Sequence, residues 1–569
     1  MSGTMKFTDS PEQAAVVQAP SYEDVVVVAG AGSGKTYTMT RRIITLIEQG
    51  VSPEKILGLT FTRKAASELL SRVSAAVSRK QRERGLKSAN MTFLKPEVST
   101  YDAFFQSIVR QYGLLVGFDQ NTQPLSEAGA MQLIHTVLDK HMVDLMAFDG
   151  DLKSFNTIAG NVFALSNAIS GAMIGSGCTS FDEAVQRVRD WDEAFIRQVD
   201  KALDGETVPT EQPKSPKPPK RLKKDSDADY EKKLEKYREL GHSMCVFNST
   251  QLASVAKQRN LLLDLVLDYH AEKRACNMAE FSDFTIAAFQ LVSRFPSIGA
   301  TYRKRYSHVL LDEYQDTSTT QAALLSALFH ADDTHRSAVN AVGDPFQSIY
   351  AWRGASPGAF RMLQHDFGMD ATRKPFALTV TRRNSRMVLE AANNLTKPLR
   401  LPARRLSSSL MREVDVPALS NIEEAPEGTI GVLGFATFGQ EVDAVVRFAK
   451  HAIALHTPSA RDLDHGAKDN RPHVAVLFRS KGTMSKYAEA LEQAGLTTLV
   501  VGQAALLERP EVQDVFALLH VVSDHTDSAA LMRLLATPRF AVEADDLQAL
   551  ADTAERVNTV YRYRALVSA

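Results

Sequence analysis

At 569 residues the chain exceeds what one hydrophobic core can organise and predicts roughly three to four domains. An apolar fraction of 44% with 23% charged residues excludes global disorder. A formal net charge of -1 means that attraction to nucleic acid must come from cations gathered in one groove, because there is no bulk basicity to supply it.

The first periodic unit is a β-branched run, Val25 to Val28, followed by a glycine-rich turn and a helix with apolar residues at Met39, Ile43, Ile44 and Ile47. Further short apolar strands are predicted at Ile56 to Phe61, Val309 to Leu311 and Val339 to Val342. Together they describe one α/β domain, residues 1–112 and 286–370, split by a helical insertion at 113–285. Inside the insertion, residues of about 205–229 are proline-rich and then lysine-rich, a composition that favours a flexible solvated loop over a DNA-contacting one. A second α/β domain is predicted over 371–514, with strands at Thr429 to Phe435, Val474 to Phe478 and Thr498 to Val501 and a helix after Gln440. Residues 515–569 return to helical spacing. Cys178, Cys245 and Cys276 form no CxxC pair and fit a reducing compartment without disulfide, zinc or iron–sulfur site. With no apolar h-region at the N-terminus and no run of bilayer length, a soluble, cytoplasmic protein without a membrane partner is predicted.

Residues Ala29, Gly30, Ala31, Gly32, Ser33, Gly34, Lys35 and Thr36 follow a strand and open a helix, the setting a phosphate-binding loop requires. The glycines let backbone N–H groups curl around phosphates, Lys35 reaches the β- and γ-phosphates, and the Thr36 hydroxyl can ligate Mg²⁺. A tight glycine turn without nucleotide is the bland alternative, and Gly-Lys-Thr in this strand–helix setting argues against it. Asp312 and Glu313 end the apolar strand at Leu310–Leu311, where stability gives no reason for two carboxylates. Asp312 is the expected Mg²⁺ partner, direct or through water, and Glu313 the base that activates the attacking water. The expected cofactors are therefore ATP and Mg²⁺.

These segments and several others resemble, in order, the motifs of the UvrD/Rep/PcrA helicases of superfamily 1. Gln13 in SerProGluGlnAlaAlaVal is similar to the glutamine that reads adenine in that family. ThrPheThrArgLysAlaAla, residues 60–66, resembles TFTNKAA, and SerThrTyrAspAlaPhe from Ser99 resembles a Thr-Phe-His segment with Asp102 replacing histidine. GluPheSerAspPhe from Glu280 resembles DFDDL. ValGlyAspProPheGlnSerIleTyrAlaTrpArgGlyAla, residues 342–355, resembles the motif that couples nucleotide to DNA. The resemblance implies two RecA-like P-loop NTPase domains with helical insertions, and ATP-driven 3′ to 5′ movement on single-stranded and partly duplex DNA in repair or recombination. It places Gln347 and Arg383 at the γ-phosphate, with Phe61, Thr62, Thr100, Tyr101, Tyr350, Trp352 and Arg353 along the DNA. Tyr350 and Trp352 would stack bases, each contact worth roughly 1 to 3 kcal/mol; taken singly, either aromatic would be read as core, and the flanking motif reverses that.

Two positions depart from the pattern. Arg382 stands where the family carries a tyrosine on adenine, and Tyr37 where it carries an arginine, so a reciprocal exchange that still sandwiches adenine is expected. The variants TYDAF and DEYQDTS lean towards AdnB-type helicase–nuclease subunits, which would imply a partner subunit. ValGlyGlnAlaAlaLeuLeuGluArgProGluValGlnAsp from Val501 resembles GGxxFFERxEIKD, while segments like THxxKGLEF and YVALTRA do not follow it. On this reading the second domain is incomplete at the C-terminus and 515–569 begins its helical insertion. Loss of the family's arginine finger would then cost on the order of 10³ to 10⁵ in phosphoryl transfer. The expectation is weak ATP binding, measurable DNA binding and poor unwinding by this chain alone, with a nucleotide-dependent DNA-binding subunit as the alternative function.

Overall fold

The computed structural model describes residues 9–83, 95–147, 154–174, 176–222, 226–330, 335–351, 354–356, 358–370, 373–400, 415–455, 474–501, 510–524 and 526–568. The chain divides into two compact units, Met1–Ile430 and Gly431–Ala569.

The first unit is built on six parallel strands in the order β3-β2-β6-β7-β1-β8. Before the sheet comes helix α1 (Pro11–Val17), started by a capping box in which Ser10 and Gln13 satisfy each other's backbone N–H groups. Strand β1 (Val25–Ala29) and helix α2 (Lys35–Glu48) flank the glycine loop; β2 (Ile56–Thr60), α3 (Arg63–Glu83), β3 (Glu97–Thr100) and α4 (Tyr101–Tyr112) follow. Every residue of β1 and β2 is buried, because helices cover both faces of the sheet and no position alternates towards water. One face is packed by α1, α2 and α3 around Ile43, Leu46 and Leu69; the other carries a larger core including Phe104, Phe105, Leu291 and Phe329.

The helical insertion begins after a two-residue parallel pair, β4 (Gln123–Pro124) with β5 (Met278–Ala279). It holds α5 (Glu127–Lys140), α6 (Met142–Ala147), α7 (Phe155–Ala172), α8 (Phe181–Ala202) and the 49-residue α9 (Asp227–Ala275), with its own core around Ile134, Val162, Leu263 and Tyr269. The Pro/Lys-rich stretch is irregular and largely exposed over residues 206–222. Helix α9 starts at Asp227, so that the last three residues of the predicted loop are helical, because Ser226 and Asp229 form a capping box there.

The chain then returns to the sheet through α10 (Phe281–Arg294), α11 (Pro296–Arg305), β6 (His308–Leu311), α12 (Thr319–Phe329), β7 (Ala338–Gly343), α13 (Ala359–Asp366) and β8 (Phe376–Leu378). β8 lies beside β1, pairing Val27 with Phe376 and Ala29 with Leu378. A short pair, β9 (Val380–Thr381) with β10 (Ser420–Asn421), and helix α14 (Arg386–Arg400) complete this unit.

In the second unit, α15 (Phe438–Ala454) accords with the helix expected after Gln440, and further helices span Met484–Gln493, Pro510–Ser523, Ser528–Leu535 and Ala544–Ser568. The strands predicted at Thr429–Phe435, Val474–Phe478 and Thr498–Val501 are not formed among the described residues. Several of their apolar side chains stand in solvent, with Val432 97%, Leu477 91% and Leu499 89% exposed. Apolar, β-branched spacing expresses a tendency only; a strand exists when a neighbour takes its N–H and C=O groups. No helix among the described residues is long and apolar enough to cross a membrane.

Candidate nucleotide and nucleic-acid sites

The glycine loop leaves the carboxyl end of β1, the side on which parallel α/β sheets hold ligands. Gly32 (φ 77°) and Gly34 (φ 91°) occupy left-handed backbone that disfavours any side chain. Gly32 is also needed for close approach, since a Cβ there would overlap the Cβ of Arg383 and the hydroxyl of Thr381. Ser33 is buried and its Oγ donates to the Gly30 carbonyl at 2.8 Å, pinning the turn. Gln13 is buried too: Oε1 accepts the Ser10 N–H at 3.0 Å and Nε2 donates to the Ser33 carbonyl at 3.1 Å. The residue expected to read adenine therefore braces the phosphate loop.

Lys35 Nζ is 2.9 Å from Glu313 Oε2, joining the loop to the end of β6. Glu313 holds a left-handed backbone (φ 50°), a conformation of about 1 to 3 kcal/mol that surrounding structure must enforce. Asp312 is buried beside it, and its Oδ1 accepts the Glu313 N–H at 3.0 Å. Burial, and then the neighbouring Glu313 charge, push the Asp312 carboxyl up to about 6; Asp316 is pushed up to about 6 by the same two causes. Three acidic side chains thus gather around one lysine.

This surplus of hard oxygen donors suits a divalent cation. Among the described residues no group of three or more His, Cys, Asp or Glu forms a cage, so Thr36 and Asp312 fit Mg²⁺ only in company with nucleotide phosphates.

The second expected γ-phosphate residue, Gln347, is half-buried, and its Nε2 donates to Asp344 Oδ2 at 2.7 Å. Arg382 and Arg383 lie across the loop; the Arg382 N–H donates to the Gly32 carbonyl at 3.0 Å, and the Arg383 N–H to Thr381 Oγ1 at 3.4 Å. Tyr37 donates its hydroxyl to Asp9 Oδ1 at 2.7 Å, and Arg382 is close enough to influence that hydroxyl electrostatically. Tyr37 and the Arg382 backbone therefore lie near one another beside the loop.

Of the set expected along the DNA, Phe61 and Tyr350 come together with ring centroids 4.8 Å apart and planes tilted by 32°. Thr62 and Thr100 cap the helices that follow them, accepting the N–H groups of Ala65 and Ala103. Tyr101 needs correction: it is 3% exposed and donates its hydroxyl to the Asp312 carbonyl at 3.0 Å, so its ring belongs to the core. The first turn of α4 lies against the sheet, and position 101 falls on the inward face. Trp352 and Arg353 lie outside the described residues, as does most of the segment from Val501.

Three participants are additional to the predicted set. Gln315 bridges Glu313 and Asp344, Asp344 in turn holds Gln347, and Arg42 is fully buried with its guanidinium on the carbonyls of Val17, Ala19 and Pro20 and on Asn340 Oδ1. The signal for Gln315 and Asp344 was their polarity at the ends of apolar strands; Arg42 gave none, since an arginine in an amphipathic helix reads as exposed.

A family model for the UvrD/REP helicase N-terminal domain matches residues 9–368, and one for the UvrD-like helicase C-terminal domain matches residues 383–561. The ATP-dependent DNA helicase UvrD1 of Mycobacterium tuberculosis (strain ATCC 25618 / H37Rv) is 27% identical over 542 residues, which cover 94% of this chain and 54% of that protein. The ATP-dependent DNA helicase PcrA of Bacillus subtilis (strain 168) is 24% identical over 531 residues, 93% of this chain and 55% of that protein. The ATP-dependent DNA helicase Rep of Escherichia coli (strain K12) is 23% identical over 531 residues, 93% of this chain and 60% of that protein. The chain thus spans little more than half the length of these relatives. With its parallel sheet, phosphate loop and acidic strand end, matched along nearly its whole length, the chain belongs to the UvrD/Rep helicase family and has the α/β fold class of two RecA-like domains.

Proposed function

We propose that this chain is an ATP-hydrolysing motor that moves on single-stranded DNA and separates partly duplex DNA, 3′ to 5′, in repair or recombination. The observation that carries the reading is a continuous polar path from Lys35 through Glu313, Gln315 and Asp344 to Gln347, ending three residues before the Phe61–Tyr350 ring pair.

Lys35 is paired with Glu313 at 2.9 Å. A γ-phosphate presents Lys35 with a stronger anion, so the lysine turns to it and Glu313 is left to take a proton from the attacking water. Bound Mg²⁺, held by Thr36 and Asp312, would supply neutralisation of the charge developing between the β- and γ-phosphates. Arg383, whose Cβ lies beside Gly32, would face that charge, and Gln347 would register whether the phosphate is present. Release of Asp344 by Gln347 would shift the segment bearing Tyr350 and change its grip on a base, a contact worth roughly 1 to 3 kcal/mol.

The test is ATP turnover by the purified chain with and without single-stranded DNA, beside Glu313→Gln. Turnover stimulated by DNA and reduced at least about a hundredfold by Glu313→Gln supports the motor. Nucleotide-dependent DNA binding without turnover would replace it with a binding subunit whose partner, as in a helicase–nuclease complex, supplies the chemistry.

A further inference from the structure

Gln315 lies two residues beyond Glu313, is buried, and uses both ends of its carboxamide. Nε2 donates to Glu313 Oε2 at 2.8 Å and to Asp316 Oδ2 at 3.3 Å, while Oε1 accepts the Asp344 N–H at 3.0 Å. The same Glu313 oxygen also receives Lys35, so lysine and amide share one acceptor. Two more hydrogen bonds tie this short segment to the one bearing Tyr350. Ser348 Oγ donates to the Gln315 carbonyl at 3.1 Å, and the Ile349 N–H donates to the Asp316 carboxylate.

Gly343, at the end of β7, leaves room for this arrangement. A Cβ there would overlap Gln315 Oε1 and would lie 3.0 Å from the Phe360 ring and 3.1 Å from the Tyr314 nitrogen. A side chain at 343 and the seated carboxamide are therefore mutually exclusive. Only a carboxamide suits the place chemically, since it donates at one end and accepts at the other; a carboxylate only accepts, and a thioether does neither well.

We propose that Gln315 is a positioning residue that transmits the state of Glu313 to the Asp344–Tyr350 segment and so couples nucleotide binding to single-stranded DNA binding. The inference rests on the motor reading above. When Lys35 leaves Glu313 for a phosphate, Gln315 remains as the amide donor to that oxygen, and the shift in its position is passed through Oε1 to the Asp344 backbone. Gly343 keeps the path open without touching either ligand.

The experiment measures the dissociation constant of a fluorescent oligo-dT with and without a non-hydrolysable ATP analogue and Mg²⁺, using the full chain. The ratio of the two constants is the coupling, expected at about fivefold or more in the unmodified protein. Gln315→Glu, which cannot donate to Glu313, and Gly343→Ala, which expels an intact Gln315, should each bring the ratio to within about twofold of one. A merely structural defect lowers the active fraction without changing either constant, so the ratio is the discriminating readout. Should the buried charge of Gln315→Glu prevent folding, uncharged Gln315→Met and Gly343→Ala decide the matter. An undiminished ratio in the folded variants overturns the relay. Binding of both ligands by the unmodified chain with a ratio of one overturns it as well and leaves the motor reading standing; binding of neither ligand overturns both.

Discussion

Tyr37 and Arg382 are the residues at which this chain departs from the pattern it otherwise resembles. Beside the phosphate loop, Tyr37 is held by Asp9 and the Arg382 backbone by Gly32. If adenine is sandwiched between phenol and guanidinium, each truncation to alanine removes one stacking face, about 1 kcal/mol. Tyr37→Ala and Arg382→Ala should therefore each raise the ATP dissociation constant about three- to tenfold in a fluorescent-nucleotide titration; values equal to the unmodified protein in both variants would sink the exchange. Among the candidate residues, Asp312 and Glu313 could be found in the sequence because two carboxylates at a strand end have no structural motive, Lys35 because it completes a phosphate-loop pattern, and Gln347 only through the resemblance. Tyr101 was misread because a tyrosine at a helix start can face either way, and only the packing of α4 on the sheet turns it inward.

Among the elements, α9 and α10 are joined by a buried charge cluster. Lys273 near the end of α9 contacts Glu280 and Asp283, each at 2.7 Å, in the segment that resembles DFDDL. One turn away, His270 stacks on Phe181 with centroids 4.4 Å apart, and its Nε2 lies 2.8 Å from an Arg274 guanidinium nitrogen. Guanidinium has no acceptor, so Nε2 must carry the lone pair and the imidazole is neutral. Its Nδ1 lies 3.9 Å from Asp283, while Lys273 and Arg274 oppose a further positive charge and Asp182 favours one. Burial dominates and depresses the His270 pKa from 6.5 to about 4. With the folded value below the unfolded one, the unfolded chain binds more protons between these limits, so stability is present above 6.5 and is lost as pH falls towards 4. His270 alone should remove about 2 kcal/mol between pH 7 and pH 5. Urea unfolding at the two pH values, compared with His270→Gln, should show that difference shrink in the variant; identical pH dependence would remove His270 from the account.

For the whole molecule, the two compact units differ in what they bury. Three apolar clusters lie in residues up to 430, whereas the buried apolar side chains described beyond that point are Val442, Ala449, Tyr487, Ala517 and Leu534. The first unit also carries every candidate nucleotide-site residue named above, from Gln13 to Arg383. Calorimetry should accordingly resolve two transitions. A non-hydrolysable ATP analogue at a hundredfold its dissociation constant contributes about 2.7 kcal/mol, which for a unit of this size shifts its transition by about 3 °C and leaves the other in place. Equal shifts of both transitions would show that the units unfold as one.

Glycine, lysine and carboxylate spacing was enough to point to nucleotide chemistry, because a phosphate loop is made by contiguous residues whose backbone geometry is local. The parallel sheet and the helical insertion were legible for a similar reason: buried strands and amphipathic helices each impose a period on the chain. Tertiary structure alone decided what depends on distant partners. It brought Gln315 to Asp344, seated Arg42 among the carbonyls behind α1, turned Tyr101 into the core, and left Val432, Leu477 and Leu499 without a ladder despite their strand-like spacing. A hydrogen bond across 29 residues, or a strand's missing neighbour, is a property of where segments meet, and no local period encodes that.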